Sequence, residues 1–337
     1  MENTHFLPPH YRPKLDLYHT QLAIKQAKDD FEDELAALLH LSRVSAPLFV
    51  DKATGLNDDL NGVERPVEFD IKEQPGIAVQ VVQSLAKWKR YALGRYGYPV
   101  GQGLYTDMNA IRRDEITDNF HSIYVDQWDW EKVIRREDRN PEFLKDTVRS
   151  IHRALYNTLK KLRASFPEIE VELPEEVAFI DTTELEARYP DLSPAAREEA
   201  FVREHGAAFF LGIGWPLKSG LPHDGRAPDY DDWSLNGDLV YYHKALDTRL
   251  EISSMGIRVD AESMLAQLSA SGQMERASLP FHSALIDGRL PLTIGGGIGQ
   301  SRLCMLLLGK AHIGEVQCAL WPADVVERFS VAGVPLL

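Results

Sequence analysis

The sequence predicts an interleaved α/β (α+β) fold in one domain, with a phosphate-bearing ligand as the prospective substrate. Three observations carry this. Residues 17–41 place Leu22, Ile24, Phe31, Leu35, Leu38 and Leu39 at helical spacing with Lys, Asp and Glu between them, the pattern of a long amphipathic helix. Short strand patterns then recur from residue 44 to residue 298, alternating with helices and without a low-complexity linker. Finally, the run Pro291-Leu-Thr-Ile-Gly-Gly-Gly-Ile-Gly-Gln-Ser-Arg-Leu303 reads as a β-branched strand, a glycine turn and the start of an apolar helix. Glycines permit close backbone approach to a ligand, and a helix N-terminus favours an anion.

Composition narrows the class. The 337 residues are 44% hydrophobic and 26% charged, as in an ordinary globular protein. Lys plus Arg total 37 against 51 acidic residues, a net charge of −14, which argues against a broad nucleic-acid surface. The first ten residues lack an apolar signal core and no stretch is long enough for a membrane span, so a cytoplasmic protein without membrane contact is expected. Cys304 and Cys318 form no CxxC and sit in apolar segments, so both are expected to be reduced core residues.

Following the first helix, Val44 to Val50 reads as a short strand. Its Pro47 cannot donate to a ladder and places it at an edge or an interface. Asp51 to Gly62 is a polar loop, followed by strands near 66–71 and 77–82 and a helix over 84–94 with Ser84 as N-cap. Strands near 104–111 and 120–131 flank a polar turn from Arg112 to Asn119. Alternation in the second places His121, Ile123, Val125, Gln127 and Asp129 on one face. Helices follow at 141–165 and 194–205, then a buried strand within Gly206–Gly214 and a polar, acidic loop over 226–238.

Two features suggest chemistry. If a hairpin turns between Lys244 and Ala245, Asp238 and Glu251 become cross-strand partners, and their repulsion would be relieved by a hard divalent cation such as Mg²⁺; otherwise they are two exposed edge carboxylates. Arg112, Arg226, Arg258 and Arg302 each sit beside a turn or glycine, where the guanidinium fork suits phosphate or carboxylate oxygens. Neither GxxxxGK[ST] nor GxGxxG can be laid over the glycine run.

Longer runs carry a resemblance. His-Ser-Ile-Tyr-Val-Asp-Gln-Trp-Asp-Trp-Glu131, Arg-Ala-Pro-Asp-Tyr-Asp-Asp-Trp233, Glu-Ile-Ser-Ser-Met-Gly-Ile-Arg-Val-Asp260 and Ile-Gly-Gly-Gly-Ile-Gly-Gln-Ser-Arg302 resemble the ammonia-dependent asparagine synthetase family, the type A aspartate–ammonia ligases. Ser-Leu-Ala-Lys-Trp-Lys-Arg90, Gly-Leu-Tyr-Thr106 and Gly-Glu-Val-Gln317 agree. Departures from that pattern are Lys-Ala-Thr-Gly55, Gln83 in place of a His, and a shortened stretch between Trp233 and Asn236.

The resemblance implies a class II aminoacyl-tRNA synthetase-like core: a mixed, largely antiparallel sheet flanked by helices, in a homodimer assembled through residues 17–50. It implies ATP-dependent amidation of L-aspartate by ammonia through a β-aspartyl adenylate, releasing AMP and diphosphate, with ATP and Mg²⁺ required. The residues it points to are Asp58, Lys89, Arg112 and Arg302 for catalysis, and Gln127, Asp129, Ser254 and Arg258 for aspartate. Arg226, Asp231, Ser253 and Gly297 fall to ATP, and Asp238 and Glu251 to the metal. Free ammonia is the expected nitrogen donor, because position 2 is Glu and neither cysteine is placed to cleave an amide. The alternatives are an aspartyl- or asparaginyl-tRNA synthetase-like ligase, disfavoured by the acidic charge and by the lack of room for an anticodon-binding domain, and a non-catalytic paralogue.

Overall fold

The computed structural model describes residues 4–58 and 64–337. The expected first helix is α1 (Leu17–Leu39), capped by the Asp16 carboxylate on the His19 amide. Its buried stripe runs Thr20, Ala23, Ala27, Phe31, Leu35 and Leu39, whereas Leu22 and Tyr18 are exposed. The small alanines let α1 pack against α3 (Pro141–Ser165), whose start is set by the Asn140 cap and Pro141 in the first turn.

The single strand expected at 44–50 is two. β1 (Leu41–Arg43) and β2 (Phe49–Asp51) lie in different sheets, and Pro47 is in the crossing between them, where its missing N–H costs nothing. β3 (Glu68–Ile71) and β4 (Gln74–Val81) join β2 in a three-stranded sheet. The part of the expected 51–62 loop beyond Asp58 lies outside the described residues. In α2 (Ala86–Tyr96) the cap position falls on Leu85; the Ser84 hydroxyl still accepts the Ala86 amide at 3.1 Å, one residue off the expected geometry.

The large sheet is built from β5 (Gly103–Ile111) and β6 (Tyr124–Val133), then β7 (Ala178–Asp181), which leads through α4 (Thr182–Arg188) and α5 (Pro194–His205) into β8 (Ala207–Leu211). β9 (Asp231–His243) and β10 (Thr248–Arg258) form a long hairpin. After α6 (Ala261–Ala270) and α7 (Pro280–Ile286) comes β11 (Thr293–Gly299), running into α8 (Gln300–Leu307), with α9 (Ala323–Val331) near the end. Among the described residues the order is β1-β5-β6-β11-β10-β9-β8-β7, antiparallel except for the β1–β5 and β7–β8 pairs at the two edges.

Two expectations fail here. The 226–238 segment is strand from Asp231 onward: its polar side chains are satisfied by distant partners, Asp232 by Arg139 at 2.8 Å and Asn236 by the Ile213 backbone at 2.8 and 2.9 Å. The glycine cluster is not a turn but the body of β11. A Cβ at Gly296 would lie 2.6 Å from Met255 Cβ, so the glycines let neighbouring strands fill the space above β11. No helix among the described residues is long and apolar enough to cross a membrane.

One face of the sheet packs on α1, α3 and α8 through Trp128, Met255, Ile257, Ile298 and Tyr241. Cys304 belongs to that core, and burial pushes its thiol pKa up to about 12. Cys318 is exposed, contrary to expectation, because its segment leaves the core after Gln317. The opposite face of the central strands is polar.

Candidate active site

Register, rather than sequence proximity, assembles that polar face. Asp129 on β6 lies opposite Gly297 on β11, Gly297 opposite Ser254 on β10, and Ser254 opposite Asp238 on β9. Opposed residues share a face, so four expected site residues stand in one row across four strands. The adjacent row, Trp128–Ile298–Ser253–Leu239, points into the core. Ser253 is thereby corrected: it is 1% exposed and faces away from the cavity.

Above the polar row is a cavity of about 440 Å³. Asp58, Lys89, Arg112, Arg302, Gln127, Asp129, Ser254 and Arg258 all line it, as do Arg226, Asp231, Gly297 and Glu251. Asp238 lies just beyond, in an adjoining recess that shares Glu251 and Arg302 with the main cavity.

The floor is a buried charge lattice. Lys89, 1% exposed on α2, donates to Asp129 Oδ1 at 2.6 Å and to the Gly296 carbonyl at 2.9 Å. Arg258 grips Glu131 with Nε at 3.0 Å and Nη2 at 2.8 Å, and its Nη1 bonds Asp231. Glu131 also accepts the Thr293 hydroxyl at 2.7 Å, and these cations hold its carboxyl below the ordinary range against the opposing effect of burial. Arg258 is therefore not a free cation awaiting a carboxylate; it is a paired one at the cavity wall. A Cβ at Gly297 would come within 2.6 Å of Gln127 Oε1 and 3.2 Å of Asp129 Oδ1, so glycine keeps the row open between them.

The rim carries the remaining arginines. Arg302, in the first turn of α8, reaches back to the Glu251 carbonyl at 3.2 Å and the Phe120 carbonyl at 3.4 Å. The helix N-terminus itself does not face the cavity as an empty anion site: Asp126 accepts from the Ser301 amide at 3.1 Å and its hydroxyl at 2.8 Å. The expected phosphate position at that terminus is thus taken by the chain's own carboxylate, and Arg302 is the cation that this turn presents to the cavity. Arg112 enters from the turn after β5, and Arg226 is pinned by Asp238.

Asp238 and Glu251 are not direct cross-strand partners. The connection is the four-residue turn Lys244–Asp247, so Glu251 opposes Val240, and a bulge at Ile252 shifts the register before Ser253 meets Leu239. The inserted residue restores Glu251 to the face of Ser254 and Asp238. Burial raises the Asp238 pKa most, Arg226 lowers it, and Glu251 raises it again, so the two acids do feel one another.

Sequence reasoning missed Glu131, Phe120 and Tyr230. Only the fold shows that Glu131 orients Arg258 and that Phe120 and Tyr230 line the cavity. It also missed the buried set in which Lys87 and Arg276, each at 3.3 Å, and His282 at 3.0 Å converge on Asp229, beside the cavity segment Asp224–Asp231.

The fold is that of the class II aminoacyl-tRNA synthetases. Asparaginyl-tRNA synthetase from Pyrococcus horikoshii, complexed with asparaginyl-adenylate, superposes with a TM-score of 0.63 at 15% identity, over 93% of this chain and 74% of that one. The Entamoeba histolytica asparaginyl-tRNA synthetase–asparaginyl-adenylate complex gives 0.61 at 14%, over 89% of this chain and 66% of that one. The sequence narrows the class to a family. The aspartate-ammonia ligase family profile matches residues 18–333, and the chain belongs to that family. The aspartate–ammonia ligase of Clostridium perfringens (strain ATCC 13124) is 58% identical over 332 residues, 98% of this chain and 99% of that protein. That of Lactobacillus johnsonii is 56% identical over 335 residues, 99% and 100% of the two chains.

Proposed function

We infer that this protein joins L-aspartate and ammonia with ATP, forming L-asparagine, AMP and diphosphate by way of a β-aspartyl adenylate. The observation that carries the reading is the single row Asp129–Gly297–Ser254–Asp238, with Lys89 at one end and the Arg226, Arg302 and Glu251 cluster near the other. A zwitterionic amino acid suits the alternating charges at the Lys89 end, and a polyphosphate suits the arginine end.

A carboxylate resists attack by ammonia until one of its oxygens becomes a leaving group. In the proposed first step the aspartate side-chain oxygen bonds to the α-phosphorus and diphosphate departs. Arg112 and Arg302 neutralise the charge that grows on the α-phosphoryl oxygens. Lys89 has three N–H groups and spends two on Asp129 and Gly296, so the third is available to a substrate carboxylate. Arg258, held by Glu131 and Asp231, contributes a fixed positive potential at the same wall. Gln127 and Ser254 supply neutral hydrogen bonds. Asp58, Asp129 and Asp231 receive the substrate ammonium or the incoming nitrogen. Ammonia then attacks the acyl carbon, the C–O bond to AMP breaks, and the surplus proton passes to one of these carboxylates. ATP is further held by Gly297, where backbone can approach closely, and Phe120 offers an apolar ring for the base.

Asp238 and Glu251 fit Mg²⁺: two carboxylates share a face, and burial and the neighbouring Glu251 both push the Asp238 pKa up, a conflict that a cation relieves. A bound Mg²⁺ would screen phosphate charge there. The reading extends to a homodimer assembled through residues 17–50, since Tyr18, Leu22, Leu48 and Phe49 are 68%, 44%, 53% and 44% exposed. Aspartate-dependent exchange of labelled diphosphate into ATP, measured without ammonia, tests the activation step. Exchange that needs no aspartate, or none with both present, contradicts it.

A further inference from the structure

The turn that carries Arg112 is held at its outer end by the N-terminal segment. The Asn119 side chain accepts the Phe6 amide at 2.6 Å and donates to the Phe6 carbonyl at 2.7 Å and the Ala311 carbonyl at 2.6 Å, while the Asn119 carbonyl accepts the Ile313 amide at 2.9 Å. Beside this clasp, the His5 and His312 rings lie edge to edge, with centroids 5.2 Å apart and interplanar angle 24°, boxed in by Trp321 and, against His312, Phe329. Neither is accessible, at 4% and 0% exposure.

The hydrogen bonds fix the direction of this pair. His312 Nδ1 accepts the Gly314 amide at 2.9 Å and so carries no proton. In a neutral imidazole the proton then lies on Nε2, which donates to His5 Nδ1 at 2.9 Å. His5 in turn must carry its proton on Nε2, which donates to the Thr117 hydroxyl at 3.3 Å. Burial keeps both rings neutral: it is the main cause that takes His312 down to about 3, and it lowers His5 against the raising effect of Asp118 and Asp324. Arg328 anchors the strap from behind by donating to the His5 carbonyl at 2.7 Å. The far end of the relay is equally fixed, since Glu315 accepts the Ala311 and His312 amides at 2.9 and 3.1 Å and the Tyr11 hydroxyl at 3.0 Å.

Thr117 and Asn119 therefore sit on the outer side of a turn whose Arg112, Glu115, Phe120 and His121 line the cavity. We propose that the Gly314→His312→His5→Thr117 relay makes His5 and His312 positioning residues for the reaction, holding the Arg112 turn in its nucleotide-facing place. The inference rests on Arg112 contacting ATP as proposed above. The tethers at Thr117 and Asn119, at the far side of the turn from the Arg65–Asp114 pair, reduce the conformations it must give up when the nucleotide binds.

The test is kinetic, on the full-length enzyme. His5→Ala is expected to raise the KM for ATP about fivefold, the effect of one lost buried hydrogen bond, with the KM for aspartate unchanged. His5→Gln, which can accept and donate at the same ends, restores most of the loss. Thr117→Val, at the half-buried end of the relay, should give the same ATP effect and add nothing to His5→Ala in the double variant. Arg112→Ala, run alongside, checks the underlying reading. If Arg112→Ala raises the KM for ATP while His5→Ala and Thr117→Val do not, the strap has no positioning role and the function stands. If Arg112→Ala leaves ATP use intact, the contact assigned to Arg112 is wrong and the inference falls with it. A lowered melting temperature with unchanged kinetics in His5→Ala also overturns it.

Discussion

Asp238 lies directly opposite Ser254, while Glu251, three residues earlier on the same strand, is returned to their shared face by the bulge at Ile252. Without the inserted residue, residues separated by three would point to opposite faces. The bulge thus brings the two carboxylates onto one face, with Arg226 on one and Arg302 behind the other, its Nη1 3.9 Å from Glu251 Oε2.

Asp238→Ala and Glu251→Ala are each expected to raise the Mg²⁺ concentration for half-maximal activity by about tenfold or more, the equivalent of about 1.4 kcal/mol. The check is a Mg²⁺ titration at saturating ATP. Unaltered Mg²⁺ dependence in both variants removes these acids from the metal site.

Arg302→Lys keeps a positive charge but loses the planar fork. Its turnover should fall by about 100-fold while the fold persists, because few packing contacts depend on a side chain 23% exposed. Circular dichroism with steady-state kinetics separates the two effects. Near-normal turnover in Arg302→Ala would exclude Arg302 from the chemistry.

Lys89→Met should cost aspartate use more than ATP binding. Removing the ammonium would eliminate the proposed charged hydrogen bond to substrate, about 10- to 100-fold in the KM for aspartate, and leaves Asp129 buried without its partner. Nucleotide titration of the folded variant is expected to give an ATP affinity close to the parent's. Equal losses for both substrates would show that Lys89 supports the cavity as a whole.

Stability should fall on acidification below about pH 6.5. His243 is buried and its pKa is lowered to about 4, mainly by desolvation. Between about 4 and 6.5 the unfolded chain takes up a proton that the folded one refuses, so stability is complete above that window and is lost as pH drops through it. From pH 7 to pH 5 this one residue accounts for about 2 kcal/mol. Urea melts at both pH values should show His243→Leu losing less stability on acidification than the parent.

Much of this was legible in the chain, where local chemistry decides the outcome. Asn140 before Pro141 and Ser193 before Pro194 start α3 and α5 where the sequence says, and Gly206 ends the latter. The alternation from Val125 to Asp129 put Gln127 and Asp129 on the cavity face. What failed depended on partners remote in sequence. The glycines of β11 are strand because Gln127, Asp129 and Glu131 of β6 occupy the room their side chains would need. Asp231, Asp232 and Asn236 look like loop residues until Arg258, Arg139 and Ile213 satisfy them. The Asp238–Glu251 register could not be read because the turn Lys244–Asp247 is centred one residue later than the sequence suggests and a bulge at Ile252 adds a further shift, and Ser253 looked as eligible as Ser254 until pairing assigned their faces.

The central claim is that the aspartate side chain is activated by adenylation. Aspartate labelled with heavy oxygen in its β-carboxylate, incubated with the enzyme, ATP, Mg²⁺ and ammonium, tests it most directly. The account predicts asparagine together with AMP that carries one labelled oxygen on its phosphate, transferred when ammonia displaces the nucleotide. Label recovered in inorganic phosphate alongside ADP, or AMP free of label, would contradict it.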